Sequence, residues 1–268
     1  MSTPGFKGTA VITGASTGIG AVYADRLARR GYDLILVARS RDKLTALAKR
    51  LGDETGRTVE VFAADLNDKA DLTRVETLLR TDASITMLVN NAGIGTAGAL
   101  LASDVDKMDE MISLNVGALT RLTYAAVPGL VARGGGAIIN IASIVGIAPE
   151  LLNGVYGGTK AFVLAFSQSL HKELADKNVR IQAVAPGAVA TDFWDIAGVP
   201  VSNLPSTIVM KTDEMVDAAL AGFDQGELVT IPSLPDPADW QAYETARQRL
   251  MPNLSLSAAA PRYRQVAA

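Results

Sequence analysis

Short runs of apolar residues alternate along the chain with longer segments in which apolar positions recur at helical spacing. The runs "TAVITG", "DLILVAR", "TVEVFAA", "ITMLVNN", "GAIINIAS", "VRIQAVAPG" and "ELVTIP" predict seven strands. Several are apolar at every position rather than every second one, the pattern of strands covered on both faces. Between them, amphipathic segments predict helices over roughly 18–30, 42–52, 68–80, 104–133, 157–177 and 212–225. Strands and helices joined by short connections make βαβ units, and right-handed crossovers leave few ways to arrange them. The expected fold is α/β, with a seven-stranded doubly wound parallel sheet and helices on both faces. Beyond the last strand, "PADWQAYETARQRLMP" predicts one more helix. The segment 234–268 is therefore expected to be a C-terminal helix and a mobile Ala-rich tail.

In such a sheet, ligands bind beyond the carboxyl ends of the strands. The residues found there are "TGASTGIG", "ARSR", "ADL", "NNAG", "ASIVG" and "PGAVAT" in turn. Any one of these is ordinary turn chemistry. Together they gather small and polar residues at one edge, which marks that edge as the place to look for a site.

Composition narrows the picture. Of 268 residues, 49% are apolar and 20% charged, a globular balance that suits one large α/β domain over 1–268. A net charge of −3 argues against a nucleic-acid partner. With no cysteine there are no disulfides and no thiolate chemistry. The one histidine, His171, has no second histidine to join it, so no metal site is expected. The amino terminus lacks the charge-then-apolar pattern of a secretory signal. The apolar stretch "GAIINIASIVGIAPELL" is broken by Asn140, Gly146 and Pro149 and is too short to span a bilayer. The expected location is the cytoplasm.

Gly14, Gly18 and Gly20 stand between the first strand and its helix. Glycine lets the backbone turn tightly and approach a pyrophosphate, which the helix N-terminus then favours. A glycine-rich turn would look the same taken alone. The second strand adds a separate clue. NAD binding calls for an acid at that strand end, whereas a 2′-phosphate calls for Arg. Here Ala38 is followed by Arg39, Ser40 and Arg41. The reading is a single Rossmann-type domain that takes NADP, with NAD the less favoured cofactor. Arg39 and Arg41 would also be at home simply solvating a helix start.

In "VYGGTKAF", Tyr156 and Lys160 lie four apart and share a helix face. Such a pair by itself is common on exposed helices. Moving a hydride onto a ketone leaves an alkoxide that needs a positioned acid, and an ammonium near a phenol would favour its anion. Gly157 and Gly158 are expected to sit in a helical first turn facing a cofactor, where missing side chains allow close approach.

The set Thr13-Gly14-x-x-x-Gly18-x-Gly20, Asn90-Asn91-Ala92-Gly93, Asn115, Ser143, Tyr156-x-x-x-Lys160 and Pro186-Gly187 resembles the short-chain dehydrogenase/reductases. Glycine spacing and length resemble the compact branch, over roughly residues 6–233. The resemblance implies that Tyr156 is the general acid/base and Ser143 the carbonyl-polarising hydroxyl. It makes Lys160 the supporting amine that also holds the nicotinamide ribose, and Asn115 the residue that holds a water in the proton relay. It assigns the cofactor to Gly14, Ser16, Thr17, Gly18, Ile19, Gly20 and Arg39. Asp65 and Leu66 would form the adenine pocket, and Asn91 would lie beside the adenosine ribose. Ala92 and Gly93 follow in the same element, with Asn90, Ala92 and Gly93 also bracing the central strand. Pro186, Gly187 and Val189 complete the nucleotide edge, and Thr191 lies near the carboxamide.

The long connection 188–211 has no clear period and reads as a substrate lid. Its Phe193, Trp194, Ile196, Val199 and Val201, with Ile144, Val145, Ile147, Leu151 and Leu152, suggest an apolar carbonyl or alcohol substrate; a core or oligomer contact would explain them equally. The resemblance implies a homo-oligomer, dimer or tetramer, pairing through helix 157–177 and its predecessor. The expected activity is hydride transfer between NADP(H) and an apolar secondary alcohol, ketone or aldehyde. A non-catalytic NAD(P)-binding sensor or scaffold on the same fold is the alternative, and turnover of a ketone panel separates the two.

Overall fold

A computed structural model describes residues 7–263, which fall into two compact units divided between Pro232 and Ser233. In the first unit seven strands form one parallel sheet in the order β3-β2-β1-β4-β5-β6-β9. They are β1 (Thr9–Thr13), β2 (Asp33–Ala38), β3 (Val59–Ala63), β4 (Ile85–Asn90), β5 (Gly136–Ile141), β6 (Val179–Val184) and β9 (Val229–Thr230). The helices between them are α1 (Gly18–Arg29), α2 (Arg41–Thr55), α3 (Lys69–Thr81), α4 (Val105–Ile112), α5 (Leu119–Ala132), α6 (Gly154–Glu173) and α8 (Thr212–Gln225). The order reverses between β1 and β4, which opens a crevice at their carboxyl ends.

Alternation along the strands explains why they are apolar throughout. Ala10, Ile12, Leu34, Leu36, Met87 and Ile139 point to one side, where Leu27, Leu44, Val216 and Leu220 of α1, α2 and α8 meet them. Val11, Ile35, Val37, Leu88 and Ile138 point to the other, against Val75, Leu122 and Leu170 of α3, α5 and α6. Each fully buried side chain of this kind contributes about 1.5–3 kcal/mol. An exposed pair such as Lys49–Asp53 is screened by solvent and contributes little, so the two apolar layers hold the fold.

Two elements differ from the sequence expectation. The last strand is only two residues long, because it meets β6 at Ala183 and Val184 alone. The segment 104–133 is not one regular helix: a π turn over Ser113–Ala118 separates α4 from α5. One extra residue per turn re-aims the side chains there, and such turns concentrate at functional sites. Asn115 lies in it.

A buried polar chain locks α6 to the sheet. Asn90 Nδ2 donates to Asn140 Oδ1 at 2.9 Å and to Thr123 Oγ1 at 3.1 Å, and Asn140 Nδ2 donates to Ser167 Oγ at 3.0 Å. Buried amides that are paired in this way fix relative positions more sharply than apolar contact does.

The second unit holds α9 (Pro237–Gln248), with Asp236 accepting the Ala238 N–H at 2.8 Å as its cap and with Trp240 stacked on Tyr243. Residues 264–268 of the expected tail lie outside the described residues. Among the described residues, no helix is long and apolar enough to cross a membrane.

Candidate active site

The glycine turn comes first. Gly14 and Gly18 have φ of +65° and +55°, a backbone region costly for any residue with a Cβ. A side chain at Gly20 would collide with the Gly14 carbonyl. Helix α1 then begins at Gly18. Its cap, Thr17, makes no side-chain bond to it, so the N–H groups beside Ser16, Thr17 and Ile19 are left uncapped by side chains. An uncapped helix N-terminus with a positive dipole suits an anion. Asn91 Nδ2 donates to the Thr13 and Gly14 carbonyls at 2.9 and 3.2 Å, so that amide is committed to the turn. The Asn91 and Ala92 N–H groups both bond Thr13 Oγ1 at 3.0 Å.

Beyond β2, Arg39 is exposed, and among the described residues neither its guanidinium nor that of Arg41 has an acidic partner. Beyond β3, Asp65 Oδ1 accepts the Asn67 N–H at 3.0 Å. Buried Leu66 shares the wall of a small void with Ala92 and Leu114.

The reactive end is assembled from four elements. Tyr156, in the first turn of α6, and Lys160, one turn on, are both buried. Ser143, just past β5, donates to the Pro186 carbonyl at 3.3 Å and also hydrogen-bonds the Tyr156 phenol. Lys160 Nζ donates to the Ile141 carbonyl at 2.9 Å and lies 5.8 Å from the centre of the Tyr156 ring. Asn115 Nδ2 donates to the Ile94 carbonyl at 2.8 Å and to Thr159 Oγ1 at 3.1 Å, while its Oδ1 accepts the Ile94 N–H at 2.9 Å. Gly93 lies between these groups: a Cβ there would be 3.0 Å from Asn115 Oδ1 and 3.6 Å from Lys160 Nζ.

Burial dominates the titration of the pair. It pushes the Tyr156 phenol up to about 12, against a smaller downward pull from the Ser143 hydrogen bond. It pushes the Lys160 ammonium down to about 8. The expectation that Lys160 depresses the phenol is therefore not met in the protein by itself, because the ammonium is turned to a backbone carbonyl and desolvation outweighs it. The phenol holds its proton at neutral pH.

Residues 188–211 carry more structure than their sequence suggests. β7 (Ala188–Val189) pairs with β8 (Val209–Met210), and the short helix α7 (Phe193–Ile196) lies between them. Trp194 is buried, with Nε1 donating to the Val189 carbonyl at 3.0 Å. Thr191 faces the glycine turn; a Cβ at Gly18 would be 3.2 Å from its methyl. Gly187 approaches Ile144. Phe193 joins Ile94, Met108, Ile144 and Leu152 in an apolar cluster built on Met111, Val145 and Tyr156. Leu151 and Ile196 are exposed instead.

Three points escaped the sequence reading. Asn153 caps α6: its Oδ1 accepts the Val155 and Tyr156 N–H groups at 2.9 and 3.3 Å, and its Nδ2 donates to the Gly98 carbonyl at 2.7 Å. One amide thus ties the Tyr156 turn to the loop after β4. An Asn ahead of a helical run is a legible cap signal, and the glycines behind Tyr156 obscured it. Thr159 bridges Asn115 and the Tyr156 carbonyl. Gly157 and Gly158 do not face the crevice. A Cβ at Gly157 would sit 3.2 Å from the Pro149 Cβ, and Gly158 faces open space. The helix begins at Gly154 rather than 157, which places both glycines against the preceding turn and solvent.

The chain matches the family model described as short chain dehydrogenase over residues 8–197. A short-chain dehydrogenase from Sphingobium yanoikuyae, solved in complex with NADPH, is 52% identical with a TM-score of 0.93, covering 96% of this chain and 100% of that one. A bulky-bulky ketone specific alcohol dehydrogenase from Comamonas testosteroni is 47% identical with a TM-score of 0.88, covering 96% and 98%. Very-long-chain 3-oxoacyl-CoA reductase of Homo sapiens is 36% identical over 230 residues, 84% of this chain and 73% of that protein. The match to its Anas platyrhynchos counterpart, at 37% identity, spans 72% of this chain and 64% of that protein's length.

Proposed function

The chain belongs to the short-chain dehydrogenase/reductase family, and from that premise we propose that it moves a hydride between NADP(H) and a ketone or secondary alcohol with apolar substituents. It is an NAD(P)-dependent oxidoreductase of CH–OH and C=O groups; the proposal concerns the choice of NADP and the character of the substrate. The observation that carries it is a protonated, buried Tyr156 beside Ser143, set in an otherwise apolar cluster. The NADPH complex of one relative and the bulky ketones of another support the same reading.

The glycine turn at Gly14, Gly18 and Gly20 and the uncapped start of α1 fit a pyrophosphate. Arg39 fits a 2′-phosphate, and Asp65 and Leu66 an adenine. Pro186, Gly187, Val189 and Thr191 form the nicotinamide side. When bound, the cofactor supplies or takes the hydride. Ser143 Oγ donates to the carbonyl oxygen where negative charge develops. Tyr156 Oη delivers the proton that completes the alcohol, its burial keeping that proton in place until needed. Lys160 contributes a donor beside the ring, and Asn115, held by Ile94 and Thr159, keeps the loop after β4 against α6. Segment 188–211 covers the substrate, with Phe193 on its inner side.

We also propose pairing of subunits through α5 and α6. Tyr124 (68% exposed) stacks on Phe166, which stacks on Phe162 (37% exposed), an aromatic strip that another copy would cover. Sedimentation should give a dimer or tetramer, and Tyr124→Glu a smaller species; a monomeric wild type defeats this.

The activity is tested by following NADPH absorbance with alkyl, aryl and hydroxylated carbonyl compounds. Turnover with NADPH, faster for apolar ketones than for polyols, is expected. Binding of NADPH without turnover of any ketone would return the protein to the sensor class.

A further inference from the structure

Phe193 of α7 takes a position that the reaction itself does not require. Its ring centre lies 5.7 Å from that of Tyr156, tilted by 39°, and makes an edge contact with Trp194 at 5.6 Å. Facing it across the crevice is Gly95. A side chain at Gly95 would collide with the Phe193 ring and lie 3.0 Å from Tyr156 Cε2. The helix that carries the ring is anchored twice, by Trp194 Nε1 on the Val189 carbonyl and by the Ala97 N–H on the Ala197 carbonyl at 3.2 Å. The backbone of α7 is thus held while the Phe193 side chain makes only apolar contacts.

A ketone with its oxygen between Ser143 and Tyr156 needs room for a substituent on either side of the carbonyl carbon. Toward α7 that room is filled by the Phe193 ring. An aromatic side chain has two torsions with which to move while its backbone stays anchored, so the space it vacates is the size of a phenyl ring. We infer that Phe193 is a specificity-determining residue that gauges the ketone substituent on the α7 side, and that Gly95 is the seat receiving its ring. This rests on the ketone-reducing reading above. It adds a substituent-by-substituent expectation to that reading.

The experiment compares kcat/KM for acetophenone and benzophenone in wild type, Phe193→Leu, Phe193→Ala, Gly95→Ala and the Gly95→Ala/Phe193→Ala double variant. Phe193→Ala should shift the ratio toward benzophenone by about ten- to a hundredfold, with Phe193→Leu in between. NADPH affinity should stay within about twofold. Gly95→Ala should raise KM and lower the melting temperature in the wild-type background, and do both distinctly less in the Phe193→Ala background, where the collision with the ring is gone and only the 3.0 Å approach to Tyr156 Cε2 remains. The melting-temperature cycle needs no substrate, so it tests the seat separately. An unchanged ketone ratio in an active Phe193→Ala enzyme overturns the gauge. Additive melting effects overturn the seat. A wild type that reduces no ketone overturns the activity reading, and the gauge with it.

Discussion

Replacing Tyr156 with Phe is expected to lower kcat/KM for ketone reduction by about 10²- to 10⁴-fold, the usual contribution of a positioned acid. The substitution removes one oxygen and little else. The Tyr156 backbone N–H still bonds Asn153, its carbonyl still accepts from Thr159, and the ring still packs against Phe193. NADPH affinity should therefore stay within about threefold, measured by nicotinamide fluorescence. The pH dependence has a defined sign. Burial holds the phenol near 12, so its proton is in place throughout the neutral range, whereas Lys160, near 8, passes from charged to neutral as pH rises through that value. The rate of ketone reduction is expected to fall as pH rises through about 8, where Lys160 loses its charge, while the acid keeps its proton. A Tyr156→Phe enzyme that keeps more than about a tenth of wild-type turnover would remove Tyr156 from the chemistry.

The strands were legible for a physical reason. Val11 and Ile12 face opposite helical layers, so apolar character is demanded at consecutive positions and leaves a continuous run in the sequence. The length of β9 was not legible, because it depends on how much of β6 remains open to pair, a property of two distant segments. The spacing of Tyr156 and Lys160 gave a shared face, but not that the ammonium would turn to the Ile141 carbonyl. That outcome follows from where β5 ends. The π turn was hidden because Met108, Met111, Leu114, Ala118 and Leu122 keep a spacing that an unbroken helix also produces. Strands β7 and β8 are two residues each, too short for alternation to register. Phe193 could be named from sequence as an apolar lid residue, but its seat on Gly95 is visible only once the loops after β4 and β6 are brought together.

Arg39→Asp is expected to raise the dissociation constant for NADPH by about 10²-fold or more, while that for NADH changes by no more than about threefold. Arg39 is exposed at the end of β2 and has no acidic partner among the described residues, so its guanidinium can engage a phosphate through two parallel bonds. Charge-assisted bonds contribute about 1.5–3 kcal/mol each, and 1.4 kcal/mol is a factor of ten, so losing both bonds of the fork costs at least about a hundredfold. A carboxylate in its place adds repulsion toward a dianionic 2′-phosphate and leaves a ribose hydroxyl able to donate to it, which widens the gap between the two nucleotides. Arg39→Gln separates these contributions, since it removes the cation without adding the anion, and should fall between wild type and Asp. Because the site is exposed, the NADPH preference of the wild type should also shrink as ionic strength rises, whereas that of Arg39→Gln should barely respond. Fluorescence titrations with both nucleotides at two salt concentrations read all of these values. Unchanged NADPH affinity in Arg39→Asp would move phosphate recognition away from the end of β2 altogether.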